Sequence, residues 1–198
     1  MNETLPTIYL ARHGETAWSL SGQHTGLSDI PLTEHGERNA RQLGARLNGL
    51  KFPYVFTSPL QRARRTCELA GFGGQAVVDP DLVEWNYGTY EGKTSDEIRR
   101  QWPGWNVFRD GCPGGETISE IGARADRVIA RLRALKSDAL VFSSGHFLRV
   151  LGARWCGLDP REGKSFYLST AALSEVGYEH DLDSPVIRLW NDCRHVQT

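Results

Sequence analysis

Ile8-Tyr9-Leu10-Ala11-Arg12-His13-Gly14-Glu15-Thr16 decides how this chain is read: an apolar run breaks into a cation, an imidazole and a glycine. Residues 7–11 have the length and composition of a buried strand, and Gly14 marks a point where backbone must come close to something else. Arg12 and His13 then stand at the strand's C-terminal edge, where open α/β sheets bind ligands. A guanidinium beside an imidazole suits a phosphate, since one can hold oxygens bidentately and the other can attack phosphorus. Alone, so short a motif also describes a strand end carrying a surface histidine, so the remaining chain has to decide.

The 198 residues are enough for one well-buried domain, read here as a single domain over 1–198. A net charge of −1 gives no reason to expect nucleic acid or an anionic membrane as partner, so any attraction for anions must be local. No apolar run approaches the ~20 residues of a membrane span. The start, Met1-Asn2-Glu3-Thr4, lacks a basic and apolar leader, so a cytoplasmic protein is the expectation. Cys67, Cys112, Cys156 and Cys193 are widely spaced without a Cys-x-x-Cys pair, which argues against a zinc site or a redox dithiol. Reduced thiols, no metal and no cofactor are expected.

Turn formers crowd residues 17–32, which read as a loop, and Thr33 reads as the cap of a helix running to about Leu47. A second strand over 53–57 ends at Ser58-Pro59, with Gln61 in position to close a capping box. That helix start delivers Arg62, while Arg64 and Arg65 read as solvated. A short strand at 76–79 leads to the aromatic, glycine-punctuated and acidic stretch Glu84-Trp85-Asn86-Tyr87-Gly88-Thr89-Tyr90-Glu91-Gly92. Thr94 with Glu97 and Thr117 with Glu120 make two more capping boxes. The second opens the longest helix, where Ile118, Ile121, Ala125, Val128, Leu132 and Leu135 form a core stripe and Arg124, Arg127, Arg131 and Arg133 read as solvated. A buried strand at 139–143 runs into Ser144-Gly145-His146 and an apolar helix to about Trp155. Two further strands fit 172–178 and 186–190. Alternation of strands and helices predicts an α/β fold, a three-layer α/β/α sandwich with a mostly parallel sheet of about six strands.

Four groups of residues therefore converge on one sheet edge: Arg12-His13-Gly14, Ser58-Pro59 with Arg62, Glu84 with Tyr87-Gly88 and Glu91-Gly92, and Ser144-Gly145-His146. From Leu10 to Trp155 the pattern resembles the histidine phosphatase superfamily, the phosphoglycerate mutase-like proteins. The resemblance rests on Arg12-His13-Gly14-Glu15-Thr16, Gly22-Gln23-His24-Thr25-Gly26, Pro31-Leu32-Thr33, Ser58-Pro59-Leu60-x-Arg62-Ala63 and Glu84-x-x-Tyr87-Gly88-x-x-Glu91-Gly92. It implies that His13 accepts a phosphoryl group on nitrogen, that Arg12 and Arg62 hold the phosphoryl oxygens, and that Glu84 is the general acid and then base. Such a role calls for a carboxyl whose pKa burial near Trp85 and Tyr87 raises toward neutrality. Ser19, Thr25, Gly26 and Tyr87 fall at positions that touch phosphate or substrate in such enzymes, and no metal is needed.

One departure stands out. The family pattern places a second histidine five residues before the helix arginine, and counting back from Arg149 gives Ser144, with His146 two residues later. Three readings follow. His146 replaces the absent imidazole; or Ser144, Gly145 and the amides of the next helix suffice; or activity is reduced or lost and the chain binds a phosphorylated ligand or a protein. A phosphoglycerate mutase is less favoured, because Ser95 stands where the mutase pattern has a lysine. The segment Trp105–Cys112 with Gly115-Glu116-Thr117 following, together with Glu84–Gly88 and the Gly22–Gly26 loop, is similar to the fungal sedoheptulose-1,7-bisphosphatase branch and makes Arg109 a candidate for a distal phosphate or sugar. The expected activity is hydrolysis of a small phosphorylated metabolite, a sugar phosphate foremost, with a small-molecule phosphate ester as the partner.

Overall fold

Alternation along the first strand sends Ile8 and Leu10 to one face of a sheet and Tyr9 and Ala11 to the other. The computed structural model describes residues 5–196; Met1–Thr4, read above as lacking a leader, lie outside them. The strands are β1 (Ile8–Arg12), β2 (Tyr54–Thr57), β3 (Val77–Val78), β4 (Ala139–Ser143), β5 (Leu173–Tyr178) and β6 (Pro185–Asp192). They form one six-stranded sheet in the order β3-β2-β4-β1-β5-β6. β1, β4, β2 and β3 are mutually parallel, whereas β5 runs antiparallel to β1 and β6 antiparallel to β5.

Helices α1 (Ala17–Ser21), α2 (Glu34–Arg46), α3 (Gln61–Leu69), α4 (Ser95–Gln101), α5 (Val107–Asp110), α6 (Ile118–Ala134) and α7 (Gly145–Trp155) surround the sheet. Leu43 and Leu47 of the α2 segment and Cys67 and Ala70 of the α3 segment pack with Ala11, Val55, Leu140 and Phe142 on one face. Ile121, Val128 and Leu132 of α6 and Phe147, Leu148 and Leu151 of α7 pack with Ile8, Leu10, Val141 and Val176 on the other. The result is the expected three-layer α/β/α sandwich, its middle layer apolar on both faces as a central parallel sheet requires. No helix among the described residues is long and apolar enough to cross a membrane.

Thr33, Thr94 and Thr117 cap α2, α4 and α6 through their side chains, the last two as complete capping boxes. Two local readings change. Residues 17–21 are helical, not loop, because Thr16 and Ser19 close a capping box and Gly22 ends the helix at φ 78°. The anticipated Ser58–Gln61 box does not form. The N-cap of α3 is Leu60, with no side-chain cap bond. Gln61 is instead drawn to Asp29, its amide donating to Oδ1 at 2.7 Å and its Nε2 to the carbonyl at 2.5 Å.

Candidate active site

The parallel strands end together, and main-chain bonds carry the ladder past their ends. The His13 amide donates to the Ser143 carbonyl and the Ser58 amide to the Phe142 carbonyl, each at 3.0 Å. Arg12 pairs with Ser143 in register, so the next step places residue 144 alongside His13. Gly14 meets its expected constraint: a Cβ there would lie 2.5 Å from the Gly36 carbonyl oxygen. Its amide donates to Thr66 Oγ1 at 3.0 Å, and that hydroxyl donates to the Arg62 carbonyl at 2.7 Å, tying β1 to α3.

His13 is 4% exposed, and its Nδ1 lies 2.7 Å from the Gly14 carbonyl oxygen. A carbonyl can only accept, so Nδ1 carries the proton and Nε2 of the neutral ring holds the free lone pair. Burial, then the charges of Arg62 and Arg12, hold the His13 pKa well below 6.5. The ring is therefore neutral at physiological pH.

Both arginines are committed in part. Arg12 donates from Nη1 to the Leu168 carbonyl at 2.6 Å. Arg62, fully buried, donates to the carbonyls of Ser28, Thr25 and Gly26 at 2.8, 3.1 and 2.7 Å. Glu91 holds the same loop from its other side by accepting from the Gly26 and Ser28 amides at 2.8 and 3.1 Å. Nε of Arg12, Nε of Arg62 and the Ser144 hydroxyl are buried without a hydrogen-bond partner.

Glu84 is not set in the apolar environment that its aromatic neighbours suggested. Its Oε1 accepts from the amides of Trp85 and Phe147 at 2.8 Å each, and Oε2 accepts from the His146 amide at 2.9 Å. The carboxylate thus caps α7, whose N-cap Ser144 makes no side-chain cap bond. The His146 ring is engaged elsewhere: Nδ1 lies 2.5 Å from the Tyr87 hydroxyl, and the ring packs on Phe108 with centroids 5.1 Å apart. Burial, with Glu84 adding to it, lifts the Tyr87 pKa well above 10.0, so the phenol keeps its proton.

A cavity of about 260 Å³ lies over these groups, lined by Arg12, His13, Ser19, Thr25, Glu84, Tyr87, Gly145 and His146. Of the remaining residues singled out in the sequence, Arg62, Gly26 and Ser144 are not among its lining residues, and Arg62 and Ser144 are fully buried. Arg109 is outside it, on the surface, where Asp110 takes its Nε and Nη2 at 2.8 Å each. The cavity also brings in His24, Ser95, Arg149 and Tyr167. The Arg149 position served above only to locate Ser144; its Nε and Nη2 donate to the carbonyls of Gly163 and Lys164 at 3.0 and 2.9 Å. Its spacing in an apolar helix gave no hint that the guanidinium reaches the site. Among the described residues no cluster of His, Cys, Asp or Glu is placed to hold a metal ion.

The histidine phosphatase superfamily (branch 1) model matches residues 8–193. The chain belongs to the histidine phosphatase superfamily. This histidine phosphatase is 41% identical to an acid phosphatase of Mycobacterium tuberculosis, over 87% of each chain. It is also 41% identical to the sedoheptulose 1,7-bisphosphatase of Saccharomyces cerevisiae, over 96% of this chain and 86% of the relative. A probable phosphoglycerate mutase GpmB of Klebsiella pneumoniae is 34% identical, over 87% and 85%. The solved structure of an open reading frame of Mycobacterium tuberculosis superposes with a TM-score of 0.89 at 38% identity, covering 94% of this chain and 97% of that one.

Three histidines of this phosphatase's site titrate low: His13 and His146 well below 6.5, and His24 at about 4, burial being the largest cause in each. In the unfolded chain the same rings protonate near 6.5. Below that pH the unfolded state binds more protons than the folded one, so their contribution to stability is complete above about pH 6.5 and is lost as pH falls toward the depressed values. Urea melts are expected to show lower stability at pH 5 than at pH 7, each histidine adding a slope of up to about 1.4 kcal/mol per pH unit. A flat profile across that window would contradict the burial of these rings as neutral species.

Proposed function

We propose that this phosphatase hydrolyses a small phosphate monoester, a sugar phosphate foremost, through a phosphohistidine at His13. One observation carries the reading: a neutral, buried imidazole with Nδ1 locked to a carbonyl, flanked by two arginines that each keep a buried, unpartnered Nε. A buried donor without an acceptor costs about 1–3 kcal/mol. A phosphoryl group can supply the acceptors.

In the first step Nε2 attacks phosphorus, the P–O bond to the substrate breaks, and the leaving alkoxide takes a proton from Glu84, which enters this step in its protonated form. In the second, Glu84 takes a proton from water, the hydroxide attacks phosphorus, and the P–N bond breaks to release inorganic phosphate and the neutral ring. Arg12 and Arg62 stabilise the charge on the phosphoryl oxygens in both steps. Ser19, Thr25 and the Gly145 amide offer further donors. His146 and Tyr87 act as one hydrogen-bonded unit on the wall where the leaving group sits.

The cavity lies at or below the small end of ligand pockets, which favours a metabolite over a macromolecular substrate. Arg149 supports a second anionic group on that metabolite. Its Nη1 has no acceptor among the described residues, and Ser95 and His24 offer neutral polar contacts nearby. The resulting prediction contrasts two arginines. Arg149→Ala is expected to raise KM for a sugar bisphosphate about tenfold or more while changing p-nitrophenyl phosphate little. Arg109→Ala is expected to leave both within about twofold. A phosphate-release screen across sugar phosphates, nucleotides and phosphoglycerates tests the substrate class, and a flat profile would defeat it. A second reading, a chain that holds phosphate esters but turns them over slowly, is favoured by Ser144, whose buried hydroxyl has no hydrogen-bond partner at the position one step past the Arg12–Ser143 pair.

A further inference from the structure

We infer that Arg124 is a positioning residue that sets Glu84 against the start of α7 from behind the active-site wall. The sequence pattern put Arg124 on a solvated helix face; it is in fact 6% exposed. Its Nη1 donates to the carbonyls of Asp81 and Val83 at 2.8 and 2.7 Å, and its Nη2 to the carbonyl of Glu84 at 3.3 Å. Nε and Nη2 also form a fork with Glu116, at 2.8 and 2.6 Å. The guanidinium carbon stands 4.4 Å from the centroid of the Phe147 ring, and the amide of Phe147 is one of the three donors that hold the Glu84 carboxylate. One side chain therefore grips the main chain of Glu84 and the residue that grips its carboxylate.

Glu116 extends the clamp past Glu84. Its carbonyl accepts from Trp85 Nε1 at 2.7 Å, and its amide donates to the Asn86 carbonyl at 2.9 Å. Residues 83–87 lie in neither helix nor strand, so they have no ladder of their own to fix them. A buried ion pair is a costly way to fill space, but a planar fork supplies what an apolar pair cannot, several directed bonds at once. Neither Arg124 nor Glu116 lines the cavity, so the pair acts through Glu84 and not on substrate.

The inference rests on Glu84 as the proton donor, and two readouts separate them. Arg124→Lys keeps the charge and loses the fork. Glu116→Gln keeps the shape, loses the charge, and serves if the lysine chain does not fold. In either, amide exchange at His146 and Phe147 is expected to quicken about tenfold, while amides of β4 hold. Turnover of an alkyl phosphate, whose leaving group needs a proton, should fall about 10–100-fold, and p-nitrophenyl phosphate, whose leaving group does not, should stay within about threefold. Added to Glu84→Gln, Arg124→Lys should cost nothing more. Unchanged exchange at His146 and Phe147 overturns the inference. So does an equal loss on both substrates when Glu84→Gln discriminates between them. If Glu84→Gln itself treats both alike, the acid role of Glu84 fails and the exchange rates alone decide for or against the clamp.

Discussion

His13→Ala is expected to lower phosphate-ester turnover by at least about 10⁴-fold, the scale on which removal of a covalent nucleophile acts. The expectation follows from a division of labour. In the proposed site Arg12 and Arg62 would still bind and polarise a phosphate without His13, but no other ring on the cavity wall has a free lone pair with its proton fixed at the opposite side by a carbonyl. His24 and His146 line the same cavity, yet His146 is bonded to Tyr87, and His24 has Ser95 Oγ 3.3 Å from its Nε2. Affinity for inorganic phosphate should survive the substitution within about tenfold, since the arginines remain. The check is twofold: steady-state phosphate release, and an acid-labile phosphoryl label on the wild-type chain that vanishes in His13→Ala. Persistent turnover, or a label that remains, would sink the mechanism.

Ser144→His should raise turnover by about 10²–10³-fold, the value of one well-placed charged donor at a developing oxyanion. The register puts residue 144 directly beside His13, and the present hydroxyl is buried and unpartnered. An imidazole there would add a donor beside His13 without disturbing the Glu84 cap on α7, which uses main-chain amides of His146 and Phe147. Rates measured at pH 6 and 7.5 for both chains provide the check. A gain of that size supports a site that is now impaired. A gain below about threefold says that the existing hydroxyl and the helix amides already suffice. The companion idea, that His146 moves in as the replacement, finds its ring held by Tyr87 and Phe108.

The strand ends were legible because parallel strands announce themselves as short apolar runs followed by small or polar residues, and β4 matched its expected span residue for residue. Threonine caps were legible for the same reason, being contacts over three residues. Most of what failed depended on distant chain. Gln61 left its local box because Asp29, far away in sequence, offered two acceptors. Arg124 read as solvated because a helical wheel shows only the helix's own stripe, not the carbonyls of residues 81–84 packed over it. Arg109 resembled a ligand contact, yet it lies outside the cavity, paired on the surface with its own neighbour Asp110. Arg149 served in the sequence only as the helix arginine from which Ser144 is counted, and the approach of residues 163–168 accompanies its place in the cavity lining.

Arg62 spends two of its three nitrogens on carbonyls of residues 25–28. The arginine proposed to hold phosphate and the loop over residues 25–28 are consequently one heritable module. A loop exchanged between relatives to alter specificity would have to travel with Arg62 and Glu91, and a graft that omitted either would disarm the cation as well as replace the loop.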